Sequence, residues 1–192
     1  AALDPATYPE MKRMWDLDRI ESLPRPYYGF QTPDFVGGHG PWMWGEYSRW
    51  LAREHPEVAA RFTWDAAERP AGGPNSCMRL AMPPELHYNA WIADRAIAFL
   101  ESAAKEDRPF MVWASFPDPH GPFAAPDPWY SLYDRAALPP PVRRSGEEAE
   151  MAPHVRKAME KSAMPEAHLR ELTAVTYGMV SFVDEQCGRI LD

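Results

Sequence analysis

Proline sets the tightest limit on what this chain can fold into. It supplies 22 of the 192 residues, roughly twice the ~5% of an average protein. Each proline lacks a backbone N–H and locks φ, so it is kept out of helix interiors and central strands. Regular elements must therefore be few and must fit between prolines, with long irregular connections. Pro5, Pro9, Pro24, Pro26 and Pro33 interrupt the first forty residues in this way. The prolines follow no Gly-X-Y period, which excludes collagen. Eight Trp, eight Tyr and eight Phe argue against wholesale disorder, because disordered chains lack large aromatics. No apolar run approaches the ~18 residues of a membrane-spanning helix. A net charge of −8 suits solubility and is poorly matched to a nucleic-acid backbone. Two cysteines, Cys77 and Cys187, do not make a disulfide framework. The first residues, Ala1-Ala2-Leu3-Asp4-Pro5, carry neither an initiator Met nor a basic–apolar leader. The expectation is a start inside a longer polypeptide.

Between the prolines, a short helix is predicted around Tyr8–Leu17 and an extended segment at Tyr27–Gln31. Gly37-Gly38-His39-Gly40 reads as permissive loop backbone. Tyr47, Trp50 and Leu51 fall at i, i+3 and i+4 and predict a helix over 44–54, ended near Pro56. Residues 65–83 read as loop around the breaker cluster Ala71–Ser76. Pro83 and Pro84 open a helix placed at 84–104, with Leu86, Trp91, Ala93, Ile97 and Leu100 as its stripe. Pro109–Phe116 is an almost continuous apolar run, as expected of a strand covered on both faces. Residues 124–146 are Pro-rich, with Trp129, Tyr130, Leu132 and Tyr133 in one aromatic-lined turn. A charged surface helix follows over 147–161. A final helix runs from Pro165 to about Leu191 and buries Leu169, Leu172, Val175, Met179, Phe182, Val183 and Ile190. This order fits an α/β fold with parallel strands. One strong strand is too few for a typical sheet of ~5–6. Either the fold is mostly helical with a small sheet, or most strands lie outside this chain.

The junction after the apolar run is the most informative place. In open parallel sheets, ligands bind at the carboxyl ends of strands. Here that end leads within four residues to His120, between Pro117, Pro119 and Pro122. A rigidly presented imidazole can bind an anion, donate a proton to a leaving group or ligate a metal. It can equally do no more than bond to neighbouring backbone.

The segment Arg108 to Phe123, with Pro119-His120-Gly121-Pro122-Phe123 at its end, resembles the Pro-His-x-Pro-Phe signature of sulfatases. The resemblance continues in order along the chain. Tyr27-Tyr28-Gly29-Phe30 and Gly37-Gly38-His39-Gly40 are similar to segments before that signature. Leu86–Leu100 resembles the preceding helix, Pro126–Asp134 the following loop and Tyr177–Leu191 the long helix beyond. It covers about residues 27–192.

The resemblance implies hydrolysis of sulfate monoesters on the large α/β/α sandwich of the alkaline phosphatase superfamily. It implies a formylglycine nucleophile, made from the Cys or Ser of a Cys/Ser-x-Pro/Ala-x-Arg motif, beside a divalent cation, usually calcium. Cys77, in Ser76-Cys77-Met78-Arg79-Leu80, lacks the Pro/Ala and the Arg and reads as a packing thiol. The paired Asp-Asp, Gly-Lys-x-His and Asp-His-Gly motifs are also missing. The expectation is that residues 1–192 form a partial catalytic domain, a central, helix-rich fragment with few strands, and that formylglycine and cation lie outside it. No metal ligand is assigned within the chain. His120 matches the histidine that contacts the sulfate ester and protonates or polarises its bridging oxygen, where charge builds as the S–O bond breaks. His39 is a second candidate for substrate binding; the alternative is a loop histidine against aromatic packing. Asp118 could ligate a metal or orient His120, but reads first as a turn residue between prolines. His87, Asn89 and Asp94 read as capping or surface groups; His55, His154 and His168 as solvated. The implied partners are a sulfate-ester small molecule or sulfated sugar and the remainder of the polypeptide, with no nucleic acid and no membrane span. Two other functions stay open: a phosphonate monoester or phosphodiester hydrolase with the same loop, and a non-enzymatic binding or interaction module on the same scaffold. The compartment is not legible.

Overall fold

The prolines delimit the elements, as their chemistry requires. In the computed structural model, Pro56, Pro84 and Pro153 each stand in the first turn of a helix and Pro165 is the N-cap of another, where a missing N–H costs nothing. The structure describes Asp4, residues 7–142 and residues 144–192; Ala1-Ala2-Leu3 and Pro5 lie outside them. In chain order the elements are α1 (Lys12–Asp16), β1 (Val36–His39), β2 (Trp42–Gly45), α2 (Glu46–Glu54), α3 (Pro56–Ala59), β3 (Cys77–Leu80), a 3-10 turn (Pro84–Leu86), α4 (Tyr88–Ala103), β4 (Phe123–Pro126), α5 (Glu147–Glu150), α6 (Pro153–Lys161) and α7 (Glu166–Leu191). No helix among the described residues is long and apolar enough to cross a membrane.

The strands form two small sheets. β1 and β2 are an antiparallel hairpin in which His39 faces Trp42. Gly40, at φ +57°, and Pro41 make its two-residue turn, the II′ pattern of glycine first and a negative-φ residue second. β3 and β4 pair in parallel, Cys77 opposite Phe123 and Leu80 opposite Pro126. α4 is the crossover between them, which makes this a βαβ unit. The main core joins Tyr47 and Leu51 of α2, Met78 and Leu80 of β3, and Tyr88, Trp91 and Ile92 of α4. Val175 and Met179 of α7 close a second core over Cys77 and Ala125. The mixed, helix-rich architecture with few short strands agrees with the α/β expectation.

Several local expectations are corrected. The run Pro109–Phe116 carries no helix or strand and joins no sheet among the described residues. It is not covered on both faces: Met111 is 67% and Trp113 72% exposed, while Ala114 and Phe116 lean on the main core. Gly37-Gly38-His39 is strand rather than loop, because a hairpin supplies its ladder. Trp44 lies in β2, so α2 begins only at Glu46. Cys77–Leu80 and Phe123–Pro126 are strands inside segments read as loop. Tyr27–Phe30 is a tight turn with Tyr28 and Gly29 at positive φ. His87 separates the 3-10 turn from α4, and the helix at 147–161 is split before Pro153. On α7 the buried stripe runs through Ala174, Val175, Gly178, Met179, Phe182 and Gln186, whereas Leu169, Leu172, Val183 and Ile190 are half-buried.

Candidate functional site

Two loops meet where the candidate residues lie. β1 ends on His39, next to the hairpin turn, and the loop before β4 carries His120. The two imidazoles stack, with ring centroids 4.0 Å apart and planes 29° apart. Gly40 allows this approach: a Cβ there would lie 2.8 Å from Cγ of Pro122. Burial, and then the neighbouring His120 ring, hold the His39 imidazole below its ordinary pKa.

His120 is exposed, and its Nδ1 lies 2.6 Å from the carbonyl oxygen of Gly121. A carbonyl only accepts, so Nδ1 carries the proton and Nε2 is the atom left for a ligand. Nε2 accepts when the ring is neutral and donates when it is an imidazolium.

Beneath the pair lies a buried polar network. Asp118, only 6% exposed, accepts from Tyr88 Oη at 2.5 Å and from Asn89 Nδ2 at 2.7 Å. The Gly40 N–H donates to Tyr88 Oη at 3.4 Å. One hydroxyl thus ties the His39 turn to the His120 loop. Burial pushes the Asp118 carboxyl up to about 7, although both hydrogen bonds pull it down. Asp118 is thus a turn residue, as expected, but a buried one whose carboxyl anchors the loop from below.

His87 caps α4 by accepting from the Asn89 N–H at 3.3 Å, as the capping reading had it. It is also completely buried, against Tyr88 and Phe182, and burial lowers its pKa to about 3, so the ring is neutral. His87 Nε2 and Asn89 Oδ1 have no hydrogen-bond partner among the described residues. Asp94 is exposed and pairs with Arg189 at 2.5 Å. Of the other histidines, His154 is exposed, His55 packs on Trp50, and His168 Nε2 lies 2.6 Å from the Gly72 carbonyl oxygen. Cys77 is buried and burial raises its thiol to about 12, which makes it an inert packing group. Among the described residues no three His, Cys, Asp or Glu side chains converge to hold a metal ion. These residues do not by themselves fit a divalent cation.

A groove of about 970 Å³ lies elsewhere, between Trp15, Trp44, Arg49 and Trp91, and neither His39 nor His120 lines it. Several of its charges are already engaged, although Arg49 Nε and Ser48 Oγ are buried without a hydrogen-bond partner among the described residues. Arg49 pairs with Asp18 and Arg95 with Asp34, and Glu46 accepts from the Phe35 and Leu23 N–H groups. The histidine junction is the better candidate, because it holds an imidazole that faces outward on a built support.

Tyr88 is the member of the site that the sequence reading missed. Only its position opening a helix hinted at it, because its partner Asp118 lies thirty residues further along the chain.

Comparison with known proteins gives the same direction. No family model matches the chain. The multifunctional alkaline phosphatase superfamily protein PehA of Trinickia caryophylli is 24% identical over 181 residues, covering 84% of this chain and 34% of that protein. An arylsulfatase of Clostridium perfringens is 28% identical over 108 residues, covering 55% of this chain and 22% of that protein. The chain thus spans about a third of the first relative and less of the second. The chain is a distant homologue of alkaline phosphatase superfamily proteins, an arylsulfatase among them, over part of their length.

Proposed function

We propose that this chain is the central part of the catalytic domain of a sulfate monoester hydrolase, and that it contributes His120 to the leaving-group side of the reaction. The observation that carries this reading is the exposed His120 ring, held through Nδ1 by the Gly121 carbonyl and by the stack on His39, which leaves Nε2 for a ligand. In sulfate ester cleavage the S–O bond breaks and negative charge collects on the bridging oxygen. As an imidazolium, His120 donates from Nε2 to that oxygen and lowers the barrier; general acid catalysis contributes roughly 10²–10⁴-fold. His39 lines the same junction and binds the ester beside His120. Nucleophile and cation come from the remainder of the polypeptide, so the 192-residue chain has no esterase activity by itself. Phosphonate monoester or phosphodiester hydrolysis within the same superfamily is the second reading.

In the polypeptide that carries this chain, His120→Ala is expected to lower kcat about 100-fold or more on an ester with a poor leaving group. The loss shrinks on an ester whose leaving group needs no proton. Equal kinetics of wild type and variant on both esters would remove His120 from the reaction.

A further inference from the structure

A second feature lies beside the histidine pair. His39 and Trp42 are directly opposed in the hairpin. In an antiparallel pair such residues project from the same face, with Cβ atoms roughly 4.5–5.5 Å apart. Trp42 is stacked almost parallel on Trp64, centroids 4.6 Å apart and planes 4° apart. The guanidinium of Arg69 covers Trp64 at 4.7 Å from its ring centroid. Arg69 is itself held by the carbonyl oxygens of Trp64, at 2.7 Å, and Ala67, at 3.4 Å. The result is a layered stack of guanidinium, indole and indole that is ordered before any ligand arrives. Trp42 remains 52% exposed. One face of an indole is consumed by Trp64, so this exposure is what the other face leaves open.

We propose that Trp42, backed by Trp64 and Arg69, is a ring-stacking subsite for the alcohol portion of the ester. This rests on the function proposed above: with the bridging oxygen at His120 Nε2, the group attached to it lies toward the neighbouring residue of the hairpin. A flat indole face selects a ring with an apolar face. Both an aryl group and a pyranose present one, and stacking discriminates such a ring from a small acyclic group. The pre-ordered stack limits the entropy lost on binding.

The test uses the polypeptide that carries the chain, with wild type, Trp42→Ala and Trp42→Phe. Three esters are compared: an aryl sulfate, a pyranosyl sulfate and the ring-free 2,2,2-trifluoroethyl sulfate. Trp42→Ala is expected to lower kcat/KM on at least one ring ester about 3- to 10-fold, with the ring-free ester within twofold and with Trp42→Phe restoring most of the loss. The ring ester affected tells an aryl from a sugar source. An equal loss on all three esters, or none on any, overturns the subsite. Should wild type hydrolyse no ester, the proposed function fails, and binding of phenol and of methyl glucopyranoside decides the subsite separately. Movement of the Trp42 indole N–H signal in NMR with either alcohol supports it. A signal that stays still with both overturns it.

Discussion

Tyr88 holds the two halves of the candidate site together through one hydroxyl. Removing that oxygen leaves the Gly40 N–H without its bond and Asp118 with Asn89 alone. Tyr88→Phe is expected to cost about 1–3 kcal/mol in urea unfolding and to loosen the His39–His120 stack. NMR checks the second effect: the His39 ring, relieved of burial and of its neighbour, should titrate at higher pH than in wild type. A His39 titration that does not move would mean that the stack is independent of the network. Asp118 gives a further expectation. Its carboxyl rises to about 7 by burial, so the native state holds a proton that the unfolded chain has released near pH ~4. Stability therefore falls as pH climbs from about 4 to 7, and the full penalty stands above 7. Glu46, also raised to about 7 by burial, adds in the same direction. The slope approaches about 1.4 kcal/mol per pH unit per group. Urea unfolding between pH 5 and 8 measures it, and Asp118→Asn with Glu46→Gln should flatten it. His120 and His39 were legible in the sequence because short motifs and glycines mark them. Asp118 was not: its burial comes from α4, thirty residues away, and no local pattern encodes that.

The elements follow the same division. α2, α4 and α7 were readable because apolar residues recur at helical spacing over long windows. β3 and β4 were missed because four residues are too few for a period, and Pro74 before β3 and Pro126 within β4 signal loops. Their strand state comes from each other, through the parallel ladder that α4 closes. α7 also carries a constraint that no periodicity reveals. At Gly178 a Cβ would meet the Trp129 carbonyl oxygen at 2.1 Å, where the helix lies against the turn after β4. Gly178→Ala must push them apart and is expected to destabilise by about 2 kcal/mol. Gly188, on the same helix, has nothing within 4 Å of such a Cβ. There Gly→Ala should be neutral or stabilising by up to ~1 kcal/mol from helix propensity. Opposite signs in thermal or urea unfolding check the pair; two losses of equal size would locate the effect in the helix alone rather than in its contact with Trp129.

For the whole molecule, the unpaired run is the most telling part. Residues 109–117 alternate in the manner of a strand: Val112, Ala114 and Phe116 turn inward, and Met111, Trp113 and Ser115 turn outward. Phe110, Met111 and Trp113 are 51%, 67% and 72% exposed, and the backbone beside them has no ladder among the described residues. A long apolar edge of this kind invites pairing or aggregation when left bare. The run also leads directly to His120, so whatever pairs with it fixes the approach to the site. On the reading that this chain is part of a larger hydrolase, the run is completed by strands of the remaining polypeptide. The two contexts then predict opposite responses to Met111→Lys with Trp113→Lys. In the 192-residue chain, the double variant should bind less of a hydrophobic dye and stay monomeric at higher concentration. In the polypeptide that carries it, the same change would bury two charges against neighbouring strands. It should then lower the melting temperature and abolish ester hydrolysis, because an unpaired buried charge costs several kcal/mol. A full polypeptide that tolerates both lysines with its activity intact would show that this face is free in the assembled enzyme, and the sheet would have to be completed elsewhere.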